Sequence, residues 1–452
     1  MFLAVDLGTT GCRSILFDKL LQPLGQAYGE YPLHLPREGW AEQDPQDWWH
    51  LLKKTAREAA EKAGISLAAV DSLAISSQGI TVVPVDEGFA PLYPAMTWLD
   101  LRAADQAERI GRECPTLCEV TGKPPTAPYT LPKLLWLREN EPEIWASARY
   151  FLMPMDYLQA KLTGKVATDH SMACGTALYD LQKGTWSEQI ARQFAVPTEK
   201  LPPILPAGTA LGTVLPEVAE ELGLSPQCLV AIGGQDQKCA AFGAGLDETT
   251  VTLSLGTAAA ITSLRSTPAP GSCGYVLPNA WVWEGVLDTA GVCLRWIRDL
   301  LFPEGYDALN REAEACLDTS KLVFLPELAD GGGAFSGMTL GTRRGHMALA
   351  VMEGVAFRVQ ALLRDKRAGR LVLFGGGAKS SLWCRILADV TGLPVCVPTT
   401  AEAASAGAAR LAAKAMGVQL PPLQIAHEYL PGTTGSHKRA PLFWALDQER
   451  SL

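Results

Sequence analysis

The sequence predicts an α/β protein of two domains, and three observations carry that prediction. Short apolar segments of strand length alternate with longer helical ones from end to end. The chain has 452 residues, enough for two domains at about 100–200 residues each. Its two halves also open on one pattern: Leu3-Ala4-Val5-Asp6-Leu7-Gly8-Thr9-Thr10 lines up with Val251-Thr252-Leu253-Ser254-Leu255-Gly256-Thr257-Ala258. Each reads as strand, Gly-Thr turn, strand, and its recurrence at the head of both halves points to a duplicated architecture. The boundary is placed near residues 243–249, where Gly243-Ala244-Gly245-Leu246-Asp247-Glu248 breaks the apolar pattern, giving domains 1–245 and 246–452.

Residues 1–7 alternate, meet Gly8-Thr9-Thr10-Gly11, and are followed by apolar Ser14-Ile15-Leu16-Phe17, a β-hairpin with a tip of small residues. Asp44-Pro45 starts a helix that runs to Gly64. Asp44 suits the cap, Pro45 the first helical position, and Trp48, Leu51, Leu52 and Ala59 the apolar face. Strands are expected at 72–76 and 81–85, then helices at 103–110 and 131–138. A buried strand at 228–232 runs into Gly233-Gly234-Gln235-Asp236 and a helix of small residues at 238–245. In the second half, strands are expected at 250–255 and 259–263 and a helix at 347–363. A further strand at 370–374 ends in Gly375-Gly376-Gly377, before helices at 381–392 and 401–416.

Composition narrows the function. With 48% hydrophobic residues and a mean hydropathy of +0.08 the chain has ample material for a core, which excludes wholesale disorder. Its net charge of −9 gives no default attraction to nucleic acid or an anionic membrane, so neither is expected as a partner. Phosphate chemistry must then use backbone amides, a few basic groups or metal ions. The 42 glycines and 31 prolines imply many tight turns. The N-terminus, Met1-Phe2-Leu3-Ala4-Val5-Asp6, lacks the basic start of a signal peptide, and no uninterrupted apolar run reaches the roughly 18 residues of a membrane span. The 11 cysteines are scattered, the nearest pair, Cys114 and Cys118, has no second pair beside it, and the 6 histidines are dispersed with no zinc spacing. Reduced core cysteines in a cytoplasmic protein are expected.

A turn without bulky side chains lets backbone N–H groups approach an anion, and threonine hydroxyls add donors. The Gly8-Thr9-Thr10 and Gly256-Thr257 turns together could grip one nucleotide's phosphates. Asp6 would face them and hold Mg²⁺ through water, with Arg13 adding positive charge. A ligand-free hairpin with turn-favouring residues accounts equally for either turn alone. Gly375-Gly376-Gly377 permits close approach of a ring or phosphate, but neither GxGxxG nor GxxxxGK[ST] is present, so dinucleotide-binding and P-loop folds are not indicated. Asp236, after a buried strand and two glycines, is placed either to accept a proton from an attacking hydroxyl or to cap its helix. Trp98, Asp100 and Arg102 mix aromatic and polar groups as sugar sites do; a surface ion pair beside a core tryptophan explains them as well.

Several longer stretches together resemble one family. Ala4–Ser14 is similar to the first phosphate motif of the FGGY carbohydrate kinases. Gly39-Trp40-Ala41-Glu42-Gln43-Asp44-Pro45 with Trp48-Trp49 is similar to the next block, and Thr130-Leu131-Pro132-Lys133-Leu134-Leu135-Trp136-Leu137-Arg138-Glu139-Asn140 to the first signature, with Pro128 departing from it. Gly333-Ala334-Phe335-Ser336-Gly337-Met338 and His346–Glu353 fit the second signature, and Gly375–Ser380 resembles the adenosine motif. The resemblance implies two ribonuclease-H-like domains of the actin, hexokinase and Hsp70 type with the active site in an inter-domain cleft. It also implies ATP-dependent, Mg²⁺-assisted phosphorylation of a sugar or polyol hydroxyl, with association as a homodimer.

By position the resemblance makes Asp236 the catalytic base and places Asp6 beside the metal, through water, and the phosphates. Gly8, Thr9, Thr10 and Arg13 fall in the first phosphate loop and Gly256 and Thr257 in the second. Gly375, Gly376, Gly377, Ala378 and Ser381 fall at adenosine, and Gln78, Gly79, Trp98, Asp100, Tyr129, Asp236 and Gln237 on the sugar side. Gly79 and Ile80 stand where glycerol kinases have an Arg-Glu pair, which disfavours glycerol. Of the Gln-Met-His that xylulose kinases place there, only Gln78 is present. The 130–137 block resembles pentulose kinases, so a ketopentose such as xylulose or ribulose is the expected acceptor. Another sugar or polyol, or a degenerate ATP-binding regulator without turnover, are the alternatives; the retained Asp236 speaks against the last. Asp330-Gly331-Gly332-Gly333 replaces the family's usual Gly-Glu-Arg loop.

Overall fold

The opening hairpin forms as its pattern requires. In a computed structural model, which describes residues 1–329, 331–364, 366 and 368–450, β1 (Phe2–Leu7) pairs antiparallel with β2 (Gly11–Phe17), with Asp6 opposite Arg13. The Gly8 N–H donates to the Gly11 carbonyl at 3.0 Å and closes the turn. A third strand, β3 (Pro23–Glu30), continues the sheet beyond β2 and is missing from the sequence prediction. Its glycines are the reason. A Cβ on Gly25 would lie 2.4 Å from the Ala59 carbonyl and one on Gly29 2.7 Å from the Leu51 side chain, so the helix above tolerates only glycine and the strand reads as loop. That helix, α1 (Pro45–Ala63), has the expected ends. Asp44 accepts the Gln46 N–H, and Gly64 closes the helix in the left-handed region at φ 65°.

β4 (Ser72–Ser77) lies parallel to β1, and the strand expected at 81–85 is the short Val83–Val85. The helices expected at 103–110 and 131–138 are Ala104–Glu113 and α2 (Thr130–Asn140). β5 (Ala210–Thr213) and β6 (Leu229–Gln235) complete a six-stranded sheet in the order β5-β6-β4-β1-β2-β3. β6 runs on through Gly233 and Gly234 with a register shift against β4, because a Cβ on Gly233 would meet the Ile75 carbonyl at 1.7 Å. It delivers Asp236 as the first residue of α3 (Asp236–Gly243), which starts and stops two residues earlier than expected. Helix Ala403–Ala415 crosses α3 backbone to backbone. A Cβ on Gly243 would lie 2.0 Å from the Ala403 carbonyl, and one on Gly407 1.9 Å from that of Cys239.

These elements belong to the first of two compact units, made of Met1–Gly243, Arg265–Trp283 and Glu402–Pro422. The second comprises Ala244–Leu264, Glu284–Ala401 and Leu423–Leu452, so the first change of unit falls inside the 243–249 stretch and two later segments return to the first unit. In the second unit β7 (Thr250–Leu255) pairs antiparallel with β8 (Ala259–Arg265) and parallel with β9 (Arg370–Phe374), which repeats the arrangement of β1 with β2 and β4. β10 (Val395–Pro398) and β11 (Ile425–Tyr429) follow beyond β9. The recurrence in sequence is thus a recurrence in topology.

α4 (Arg344–Leu363) is long and apolar enough to cross a membrane, with a mean hydropathy of 1.3 over its most apolar stretch, and 67% of that stretch is buried within the protein. It is hydrophobic on every side because it is packed on several, against α5 (Ser381–Thr391) and helices Gly291–Leu301 and Tyr306–Glu314. Of residues 330–333, Asp330 lies outside the described residues; Gly331 takes a left-handed φ of 72°.

The crossing of α3 by helix Ala403–Ala415 generates a stability prediction. Gly407→Ala forces a methyl against the Cys239 carbonyl and should cost about 1–3 kcal/mol, seen as a lower urea midpoint at unchanged slope. An unchanged midpoint would mean that the crossing is not as close as described.

Candidate active site

In open α/β sheets, ligands gather at the carboxyl ends of parallel strands. Strands β1, β4 and β6 all end at the same side of the first sheet. Their register puts Asp6, Ser76 and Gly234 in one row and Leu7, Ser77 and Gln235 in the next. The Ser76 hydroxyl donates to Asp6 Oδ1 at 2.9 Å. Dense packing around the Asp6 carboxyl pushes it up to about 6; the Ser76 hydrogen bond and Arg13 pull it down, and Glu402 pushes it up. Arg13 stands across the β1–β2 ladder from Asp6, while its guanidinium pairs with Glu402 at 3.0 Å.

The Gly8-Thr9-Thr10 turn is held from behind by its oxygens. Gly8 O accepts the Tyr31 hydroxyl, Thr9 O accepts Gln43 Nε2 at 2.6 Å, Thr9 Oγ1 accepts Trp98 Nε1 at 2.8 Å, and Thr10 O accepts the Tyr31 N–H at 3.3 Å. Among the described residues, the N–H groups of Thr9 and Thr10 find no acceptor in the chain. Satisfied carbonyls behind and unclaimed amides in front are what an anion-binding turn needs.

The sugar-side candidates divide into two kinds. Gly79 is open. A Cβ there would lie 3.0 Å from Gln235 Cγ, which brings the 78–80 loop against the residue that precedes Asp236. Trp98 is exposed and reaches back to the phosphate turn, and half-buried Tyr129 stands at the start of α2. Gln78 and Asp100 are buried with their side chains engaged. Gln78 Nε2 donates to Gln43 Oε1 at 2.7 Å. Asp100 takes the Ala41 N–H at 2.7 Å and Arg102 through both carboxylate oxygens at 2.7–3.1 Å. Arg102 also pairs with Glu42 at 2.7 Å and lies 3.6 Å over the Trp40 ring. The Asp100–Arg102 pair is therefore a buried brace, neither a surface pair nor an open hydrogen-bonding group.

Gln235 shares the capping of α3 with Asp236. Its Oε1 accepts the N–H groups of Gln237 and Lys238 at 3.1 and 3.3 Å, while its amide donates to Asp236 Oδ1, which also takes the Gln237 N–H at 2.7 Å. Behind it the Gln235 N–H donates to Ser171 Oγ at 2.9 Å, and Ser171 donates in turn to Asp169 Oδ1 at 2.9 Å. Asp169 is fully buried, which pushes its carboxyl up to about 6 against the hydrogen bonds it accepts from Ser171 and Met172. The half-buried Asp236 carboxylate is thereby fixed in orientation, with the exposed Gln237 beside it. Tyr31, Asp169 and Ser171 escape the motif reading, whereas Gln43 and Gln235 lie within the Gly39–Pro45 and Gly233–Asp236 stretches but carry no expected role there. Only the Asp169-x-Ser171 spacing, a local capping pattern, signals any of them in sequence.

In the second unit Gly256 and Thr257 share a cavity of about 530 Å³ with Gly376 and Gly377, opposite Tyr306 and Asn310. The N–H groups of Ala290, Gly291 and Val292 hold the Gly256 and Thr257 carbonyls at 3.0–3.1 Å, so this turn too is braced through its oxygens. Gly375, Ala378 and Ser381 are not part of the cavity wall. Gly375, at φ 91°, backs onto Leu255, and Lys379 and Ser380 line the wall instead. Tyr306 and Asn310 lie on a helix that no motif marks. Among the described residues no three acidic, histidine or cysteine side chains cluster as metal ligands. One desolvated carboxylate, Asp6, suits a Mg²⁺ that keeps most of its water and shares phosphate oxygens.

The chain matches the model of the N-terminal domain of the FGGY family of carbohydrate kinases over residues 1–243 and that of the C-terminal domain over 251–416. It is 30% identical to the xylulose kinase of Escherichia coli (strain K12), covering 95% of this chain and 94% of that protein. It is 27% identical to the gluconokinase of Bacillus subtilis (strain 168), covering 92% and 87%. The crystal structure of xylulose kinase from Rhodospirillum rubrum superposes with a TM-score of 0.87 at 26% identity over 99% of this chain and 97% of that one. The fold is accordingly the actin- and hexokinase-like one expected.

The raised Asp6 pKa gives a testable sign. Its folded value, about 6, exceeds the ordinary 3.8, so below the ordinary value the protonated group costs nothing, and stability is lost as the pH rises through 6. Asp6→Asn should therefore stabilise the nucleotide-free protein by about 1–3 kcal/mol at pH 8 and leave it unchanged at pH 3.5. Urea titration at both pH values checks this, and a variant less stable at pH 8 contradicts it.

Proposed function

The chain belongs to the FGGY family of carbohydrate kinases and is an ATP-dependent sugar kinase; from that premise we propose that its acceptor is a ketopentose of the xylulose or ribulose kind and that Asp236 is the general base. The observation that carries the assignment is the fixed Asp236 carboxylate just beyond β6, one strand from the Ser76–Asp6 pair and next to Gln235, which abuts Gly79. Support for the ketopentose comes from relatives named xylulose kinases.

The chemistry follows from these groups. The acceptor hydroxyl, against Asp236, gives its proton to the carboxylate as its oxygen bonds to the γ-phosphorus, and the bond from that phosphorus to the bridging oxygen of ADP breaks in line. Phosphoryl transfer needs positioning and charge neutralisation more than covalent help. The Thr9, Thr10 and Thr257 amides bind phosphate oxygens, and the cavity lined by Gly376 and Gly377 takes adenosine. Asp6 would hold Mg²⁺ through water, and the ion would supply neutralisation of phosphate charge. In this assignment residues 1–245 supply the acceptor side and 246–452 the nucleotide side, the 402–422 segment bracing α3 from behind.

Asp236→Ala should keep its ATP affinity within about twofold and lose about 10²–10⁴ in kcat. A variant that turns over normally ends the assignment. ADP release measured across ketoses, aldoses, polyols and aldonates should be stimulated most by a ketopentose. Stronger stimulation by gluconate would move the substrate to that of the gluconokinase relative, and stimulation by none would favour an ATP-binding regulator.

A further inference from the structure

α2 carries a lysine where its surroundings call for an apolar side chain. Every residue from Thr130 to Leu137 is buried, and Lys133 is 0% exposed. Burying an amine costs free energy unless its N–H groups find partners. Nζ donates to the Thr97 carbonyl at 2.6 Å and stands 3.4 Å from the Ile80 carbonyl and 3.5 Å from that of Met96. Among the described residues no carboxylate accepts from it. Burial and the neighbouring Arg102 pull its pKa down to about 7, with Asp100 pulling it back up. In either protonation state it keeps at least two N–H donors. A methionine would fill the same volume without this cost, so the lysine is there for the carbonyls it gathers.

Those carbonyls belong to two separate loops. Ile80 sits at φ 68°, a region that a β-branched residue rarely enters, and its carbonyl is taken by Lys133 and by Thr130 Oγ1 at 3.3 Å. Gly79, the residue before it, abuts Gln235. Thr97 precedes Trp98, whose indole reaches the phosphate turn. Tyr129 opens the helix that carries Lys133 itself. A single amine thus ties together the three segments that carry Gly79, Trp98 and Tyr129.

We propose that Lys133 is a positioning residue for the acceptor: its N–H groups hold the 78–80 and 96–98 backbones at the spacing the sugar requires, without touching the sugar. The proposal rests on the reading that Gly79, Trp98 and Tyr129 border the acceptor. It adds that specificity for acceptor size is set from beneath the pocket. A kinase without this tie should bind ATP as before and lose its grip on, and its choice among, acceptors.

Steady-state kinetics on the full-length protein test it. Lys133→Met should raise the acceptor KM by about tenfold or more and narrow the preference for the best acceptor over the next. The KM for ATP and the acceptor-independent release of ADP should stay within about twofold. Thr130→Val, which removes the second donor to the Ile80 carbonyl at nearly constant volume, should show the same split more weakly, and it decides the matter if Lys133→Met does not fold. A fall in acceptor and ATP parameters together overturns the proposal by reducing Lys133 to a structural role. An unchanged acceptor KM in Lys133→Met, with a raised one in Gly79→Ala, overturns it and leaves the site reading standing. Unchanged acceptor KM values in both variants overturn the site reading and the proposal with it.

Discussion

The pairing of β4 between β1 and β6 is the constraint on which the site depends. Three parallel strands with their carboxyl ends together bring residues far apart in the chain into one row, Asp6, Ser76 and Gly234, with Gln235 and then Asp236 just beyond. The row exists because β6 can press against β4. At Gly233 the Ile75 carbonyl occupies the space of any side chain, and a Cβ on Gly234 would meet the Val276 side chain at 2.6 Å and Ser171 Oγ at 3.0 Å. The strand is therefore glycine where it is closest, and the acid appears where it emerges. Helix packing finishes the arrangement, since α3 and helix Ala403–Ala415 meet through Gly243 and Gly407 at backbone distance and leave Asp236 little freedom to tilt.

Both Gly-Thr turns use one device. Each is braced through its carbonyls, by Tyr31 and Gln43 in the first unit and by the start of helix Gly291–Leu301 in the second. Among the described residues that leaves the amides of Thr9, Thr10 and Thr257 as the groups on offer, and amides bind anions without adding net charge. A chain with a net charge of −9 can handle polyphosphate in this way, because the relevant field is set over a few ångströms by oriented N–H groups and not by the total.

The sequence makes plain whatever is local. The strand–turn–strand recurrence, the caps of α1, Asp236 after its glycines and the Gly375–Gly377 run are all contiguous signals. What escapes it comes through tertiary contact. β3 is hidden because the glycines that let α1 lie on it imitate a loop. Gln235 and Ser171 matter only because the 171 segment packs behind β6, which spacing cannot reveal. Tyr306 and Asn310 reach the nucleotide-side cavity from a helix with no motif. Asp100 and Gln78 have residue types that suit a sugar, and tertiary contact engages their buried side chains with Arg102 and Gln43, which sequence alone does not show.

The central claim is that the Asp236 carboxylate receives the proton of the acceptor hydroxyl. A crystal structure of the protein with a ketopentose and a non-hydrolysable ATP analogue tests it most directly, through the distance between Asp236 and that hydroxyl. The account predicts hydrogen-bond contact, about 2.6–3.2 Å, with the hydroxyl oxygen facing the γ-phosphorus. An acceptor bound with its reactive hydroxyl on another side chain, and Asp236 turned away, would contradict it.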